Sequence, residues 1–208
     1  MIEIQKWGII DYDEAWNRQR QLFDEVRANP SRNILALCSH PTVITIGKNG
    51  KSKNLLGNPD YYKMLGIKVI FTDRGGDVTL HNPGQLVGYP VFSLQNYKKD
   101  LHWFLREIEK CIIELIGAYG ILGGTIPGLT GVWVDSERKI AALGFHCSRW
   151  ITYHGFALNV INDISEFSYI VPCGIEGKGV TSITIELKAK VDYEDVIEKC
   201  IEIFRKHF

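Results

Sequence analysis

Two short stretches hold the residue types best suited to covalent chemistry: a cysteine between proline and glycine in Val171-Pro172-Cys173-Gly174-Ile175, and a lysine opening the apolar run Lys139-Ile140-Ala141-Ala142-Leu143-Gly144. A loop cysteine next to glycine is accessible and has backbone N–H groups nearby, which a thiolate nucleophile and the oxyanion it creates both require. A lysine ammonium beside such a thiol favours the thiolate, each unit of lowered pKa being worth ~1.4 kcal/mol. A desolvated lysine also moves protons. Ordinary alternatives stand beside these readings: a cysteine packs as a small apolar residue, and a lysine at a strand edge keeps its head in water. Cys111 and Cys200, on apolar faces of predicted helices, fit the packing reading.

Two further clusters are suited to holding a ligand. Arg74-Gly75-Gly76-Asp77-Val78-Thr79-Leu80-His81-Asn82-Pro83-Gly84-Gln85 combines paired glycines, which let a backbone approach a ligand and present N–H groups, with an arginine and a histidine in one short span. A tight turn leading into a half-buried strand explains it equally well. Its spacing matches neither a Walker loop nor Gly-x-Gly-x-x-Gly. Tyr153-His154-Gly155-Phe156-Ala157-Leu158-Asn159 is an apolar strand entered through His-Gly, where a histidine acts more often as a structural hydrogen-bonder. Cys38-x-His40 and His146-Cys147 lack the spacing of a zinc site, so no metal is expected.

These clusters need a scaffold. Ile2–Trp7 reads as a strand, and Asp11 with Glu14 opens a helix that runs to Pro30. Strands are expected at Asn33–Cys38, Thr42–Gly47, Ile67–Thr72, Val78–His81 and Leu86–Leu94, with Gly47–Asn58 a flexible loop. Leu101–Tyr119 has a helical period; strands return at Gly131–Asp135, Lys139–Cys147 and Thr152–Val160. Thr181–Lys190 suits a strand or a short helix, and Asp192 with Asp195 opens a final helix through Phe204. Runs of strands with helices before, between and after them predict an α+β fold with a mixed or antiparallel sheet.

The chain has 208 residues, 45% of them hydrophobic, which is enough for one sizeable core, so a single domain over 1–208 is expected. Equal numbers of acidic and basic residues, 24 each, give no bulk attraction to nucleic acid or an anionic membrane. No apolar window is long enough to span a bilayer and no leader pattern precedes the first strand, so a cytoplasmic protein with reduced thiols is expected.

Taken together the four clusters resemble the octanoyltransferase family, the lipoyl(octanoyl) transferases of the lipoate-protein ligase B type. Arg74-Gly75-Gly76-x-x-Thr79-x-His81-x-Pro83-Gly84-Gln85 is similar to that family's Arg-Gly-Gly signature and Lys139-Ile140-Ala141-Ala142-Leu143-Gly144 to its lysine strand. His154-Gly155-Phe156-Ala157-Leu158-Asn159 and Pro172-Cys173-Gly174-Ile175 follow in the family's order, and the likeness spans roughly residues 35 to 185. The resemblance implies the mixed-sheet catalytic fold shared with lipoate and biotin protein ligases. It implies an acyl-thioester nucleophile at Cys173 and Lys139 as the residue that lowers its pKa. Substrate-lining segments would be Arg74, Gly75, Gly76, Asp77, Val78, Thr79, Leu80 and His81, with Ala142, Leu143 and Gly144, and Gly155, Phe156 and Ala157. The implied donor is an octanoyl-acyl carrier protein. The implied acceptor is a lysine on a lipoyl domain of 2-oxoacid dehydrogenase E2 subunits or on the glycine cleavage H protein, with no cofactor. Asn82 and Leu80 depart from the Gly and Tyr common at those places, and both flank His81 without removing a proposed catalytic group. The rival readings are an ATP-dependent lipoate or biotin ligase, a non-catalytic acyl-binding module, and a cysteine hydrolase using His81 or His154.

Overall fold

The computed structural model describes residues 2–51, 54–171 and 177–208. In chain order these form β1 (Glu3–Ile9), α1 (Tyr12–Ala28), β2 (Asn33–Ser39), β3 (Val43–Ile46), α2 (Pro59–Met64), β4 (Lys68–Phe71), β5 (Val78–His81), β6 (Gln85–Phe92) and α3 (Leu101–Gly117). They continue with β7 (Gly123–Ile126), β8 (Leu129–Val134), β9 (Arg138–Ser148), β10 (Ile151–Asn159), β11 (Gly179–Val180), α4 (Ile183–Leu187) and α5 (Tyr193–His207). A 3-10 helix spans Ile164–Tyr169.

The larger sheet has the order β1-β2-β6-β10-β9-β8-β7. β1 runs parallel to β2, and the remaining neighbours are antiparallel. β11 pairs in parallel with the start of β9, at Arg138 and Lys139. The sheet is therefore mixed, with helices on both faces, and this double cover explains why β2 is buried at every position instead of alternating with polar residues. Leu35 and Leu37 point to a core shared with Phe104, Ile108 and Ile112 of α3 and Val196, Cys200 and Phe204 of α5. Ile34, Ala36 and Cys38 point to the opposite core, under Ala15, Leu22 and Val26 of α1.

Side-chain caps set the helix starts. Asp11 accepts from the Asp13 N–H before α1, Asp100 from Trp103 before α3 and Asp192 from Glu194 before α5. A second, three-stranded sheet, β4-β3-β5, has its own core around Ile44, Ile46, Tyr62, Val78, Leu80 and Phe167.

Some local structure departs from expectation. The segment expected as a flexible loop is fastened where it is described: Lys48 N–H donates to the Arg74 carbonyl at 3.0 Å, Asn49 to Gly76 at 3.1 Å and Lys51 to Asp77 Oδ1 at 3.1 Å. α2 follows it, with Asn58 as its cap and Pro59 at its first position, a start signal readable in sequence although the helix is too short to show a period. Of the two readings of Thr181–Lys190, the helix holds: Ser182 caps α4, and Lys188 ends it at φ +52°. β7, with two glycines in four residues, carried no strand signal.

Candidate functional site

A narrow cavity, partly open to solvent, lies where the two sheets meet the start of α1. Its apolar lining comes from Val78 of β5, Val87 of β6, Ala142 and Leu143 of β9, and Phe156 and Ala157 of β10. Ala142 pairs with Ala157 and Gly144 with Gly155 across the β9–β10 ladder, so small residues stand opposite one another and leave a slot above the sheet. Arg74, Gly76, Asp77, Thr79, His81, Gly144 and Gly155 complete the contribution of the sequence-predicted segments. Tyr12, Tyr89, Val87 and His154 also line it and were not singled out as lining. Tyr12 and Tyr89 carry no local signal, because a helix entry and a mid-strand position become cavity wall only through tertiary packing.

Gly75 and Leu80 do not line this cavity. Gly75 binds the turn to β9, its N–H donating to the Phe145 carbonyl at 2.9 Å, and Leu80 is fully buried in the core of the smaller sheet. Arg74 is buried, and its guanidinium donates to the carbonyls of Thr45 (2.7 Å), Asp77 (2.7 Å) and Gly75 (3.0 Å), so it staples the Gly-rich turn onto β3. Gly144 allows the turn to close down: a Cβ there would stand 2.6 Å from the Gly75 carbonyl oxygen. Asn82 is also structural, donating to the Asp163 carbonyl at 2.8 Å and Glu166 at 2.7 Å and accepting from Asn162 at 2.8 Å. Both departures from the family pattern therefore point away from the cavity.

Lys139 occupies a second, smaller cavity that shares Thr79, Ala142 and Ala157 with the first and adds Gln85, Asn159, Phe167 and Val180. It is 6% exposed, and its Nζ lies 4.6 Å from the centre of the Trp133 ring, whose π face attracts an ammonium. In a regular strand Lys139 and Ala142 would face opposite sides. They share a side because β9 is bulged: Val132 pairs with Ala141 but Trp133 pairs with Lys139, leaving Ile140 as the extra residue. Ile140 and Ala141 both point into the α3–α5 core.

The floor near Lys139 is a polar relay. Gln85 donates through Nε2 to Asn159 Oδ1 at 2.9 Å and to the Leu80 carbonyl at 3.2 Å, so its Oε1, 2.8 Å from His81 Nδ1, accepts from that nitrogen. Burial pushes the His81 pKa down to about 3, so the ring is neutral. Asn159 in turn donates to the Thr181 carbonyl at 3.0 Å, and Thr181 N–H donates to the Lys139 carbonyl at 3.0 Å.

At the other end, His154 is turned toward the cavity by a left-handed backbone, φ +56°. Its Nε2 is 2.7 Å from Asp73 Oδ1, Tyr153 donates its hydroxyl to the same carboxylate, and His146 Nδ1 lies 3.2 Å from it. Burial of Asp73 works against its charge, but the hydrogen bonds from His154 and Tyr153 outweigh this and hold its carboxyl well below the usual carboxylate range. Burial lowers the His154 pKa while Asp73 opposes the shift.

Cys173, the expected nucleophile, lies outside the described residues, as do Pro172 and Gly174. The chain on either side of it is described. Val171 N–H donates to the Asn54 carbonyl at 2.8 Å, and Val180 pairs with Lys139.

A family model described as the lipoyl protein ligase A/B catalytic domain matches residues 11–205. An octanoyltransferase of Solibacter usitatus is 48% identical over 205 residues, covering 99% of this chain and 90% of its own. An octanoyltransferase of Christiangramia forsetii is 41% identical over 223 residues, covering 100% and 95%. Among solved structures, a bipartite lipoate protein ligase from Thermoplasma acidophilum superposes with a TM-score of 0.76 at 18% identity, covering 100% of this chain and 84% of that one. A biotin protein ligase from Aquifex aeolicus gives 0.53 at 11% identity, covering 100% and 69%. At these identities the structural likenesses establish the fold.

Proposed function

The chain belongs to the lipoyl protein ligase A/B catalytic domain family, and on that premise we propose that it moves an octanoyl group from an acyl carrier protein to a lysine of a lipoyl domain through a thioester on Cys173. Octanoyl transfer is the activity that its curated relatives carry in their names, and a lipoyl-domain acceptor follows from that class of reaction. The observation that carries the finer reading is the apolar slot between β5, β9 and β10, which continues at Ala142 and Ala157 into the cavity holding buried Lys139.

The chemistry proceeds in two balanced steps. Cys173 Sγ attacks the thioester carbonyl of the loaded carrier, the carrier's thiol leaves with a proton, and the octanoyl group remains on sulfur. The lysine amine of the acceptor then attacks the same carbonyl. An amide bond forms, the bond to Sγ breaks, and Lys139 accepts and returns the proton the amine gives up. The lining residues Val78, Ala142, Phe156 and Ala157 exclude water from the acyl chain, while Arg74 and Gly75 hold the turn that closes the slot. Lys48, Lys51 and Lys63 are exposed cations available to steer an acidic carrier domain; Lys68 is paired with Asp11 and Asp13, and Lys53 lies outside the described residues.

Intact-protein mass after incubation with octanoyl-loaded carrier protein tests the first step. An octanoyl adduct that hydroxylamine removes, present on the wild type and absent from Cys173→Ala, is expected. No adduct on either protein would overturn the thioester route.

A further inference from the structure

We infer that Glu109, which lies on α3 behind the sheet and outside both cavities, is a positioning residue for Lys139; the inference rests on the reading of Lys139 given above. The Glu109 carboxylate is fully buried, an unusual place for an acid in an otherwise apolar helix face. One oxygen accepts the Gly131 backbone N–H at 3.0 Å, and the other is paired with Arg106. Gly131 immediately precedes Val132, the β8 residue from which the bulge in β9 is counted. It also leaves room for the lysine stem: with φ at +131°, a Cβ there would stand 3.2 Å from Lys139 Cε and 2.7 Å from the Ala141 carbonyl oxygen.

The bond from α3 thus pins β8 at the point where its register against β9 is set. That register decides the direction of Lys139. A one-residue slip that erased the bulge would turn Lys139 to the α3 face and away from Ala142. The Trp133 ring, paired opposite Lys139, would lose its place under the ammonium by the same slip. A buried carboxylate is a costly anchor, and here its two oxygens bind one backbone N–H and one guanidinium.

The test is the pH dependence of Cys173 alkylation by iodoacetamide, followed on the Cys173 peptide in the full-length protein. Lys139→Ala fixes the profile of a site without the lysine. Glu109→Met, close in volume and lacking an acceptor, is expected to slow alkylation at pH 7 about tenfold, the change in thiolate given by one pKa unit. Its profile should approach that of Lys139→Ala, while Glu109→Gln, which keeps an acceptor for Gly131, stays with the wild type. If Lys139→Ala shifts the profile and Glu109→Met does not, the positioning role is overturned while the lysine's role stands. An unchanged profile in Lys139→Ala overturns both. Should Glu109→Met fail to fold, Glu109→Asp, which withdraws the carboxylate by one methylene, is expected to give the same slowing, and a wild-type profile there rejects the role.

Discussion

Two backbone irregularities direct the polar side chains of the site: the bulge at Ile140 turns Lys139 toward Ala142, and the left-handed conformation of His154 brings its ring to Asp73. Replacing Lys139 by Met keeps an unbranched apolar stem and removes the ammonium that lies over Trp133. Single-turnover transfer should fall by roughly 10²–10⁴, the usual range for a positioned acid–base group, and an unchanged rate would remove Lys139 from the chemistry. Ala142 stands at the junction of the two cavities, so Ala142→Leu should block the slot. The expected result is weaker use of octanoyl thioesters with butanoyl thioesters still accepted, measured as kcat/KM for both; equal effects on the two chains would mean that the slot does not hold the acyl group. The Arg-Gly-Gly stretch was legible as a cavity wall because paired glycines beside an arginine and a histidine stand out against their neighbours; Cys173 and Lys139 stand out by type as well, and their roles belong to the proposal. The direction of Lys139 was not, since no glycine or proline near Ile140 marks a bulge. Asp73, Tyr12 and Glu109 were also missed, because each acquires its part from residues distant in sequence.

At the level of elements, the site depends on how closely the Arg-Gly-Gly turn lies against β9. Gly144→Ala puts a methyl group 2.6 Å from the Gly75 oxygen and must push the turn outward. A loss of ~1–3 kcal/mol of stability is expected, together with most of the transfer activity. Gly124→Ala, with nothing within 4 Å of the new methyl, should leave both near wild type. Urea denaturation and a transfer assay on the two variants check this, and equal behaviour would mean that the turn does not need that approach. The long amphipathic helices and the β-branched strands were readable because their periods persist over many residues. α2 and β7 are too short for any period, and the pairing order of the sheet is a tertiary outcome that local spacing does not encode.

Across the whole molecule, burial sets the pH response. Burial pushes His40 down to about 4, against the opposing bond to the Ile10 carbonyl, and His81 down to about 3. An unfolded chain takes up protons on these rings below about pH 6.5 while the folded one does not, so stability falls as pH drops. Each ring contributes a slope of ~1.4 kcal/mol per pH unit in that window. Tm should therefore decline between about pH 6.5 and 5, and His40→Gln should flatten the decline; a level Tm would show that these rings titrate normally. The two sheets share the cavity between them, so the smaller sheet serves as one of its walls. The fold is shared with lipoate and biotin protein ligases, so the fold by itself does not separate transfer from ligation. The most direct test is therefore to isolate octanoyl-loaded protein free of donor, add an apo lipoyl domain without ATP, and follow the octanoyl group by mass. Its appearance on the acceptor lysine as an amide, at the rate the adduct disappears, is the predicted result; release as free octanoate, or transfer only when ATP and free octanoate are supplied, would contradict it.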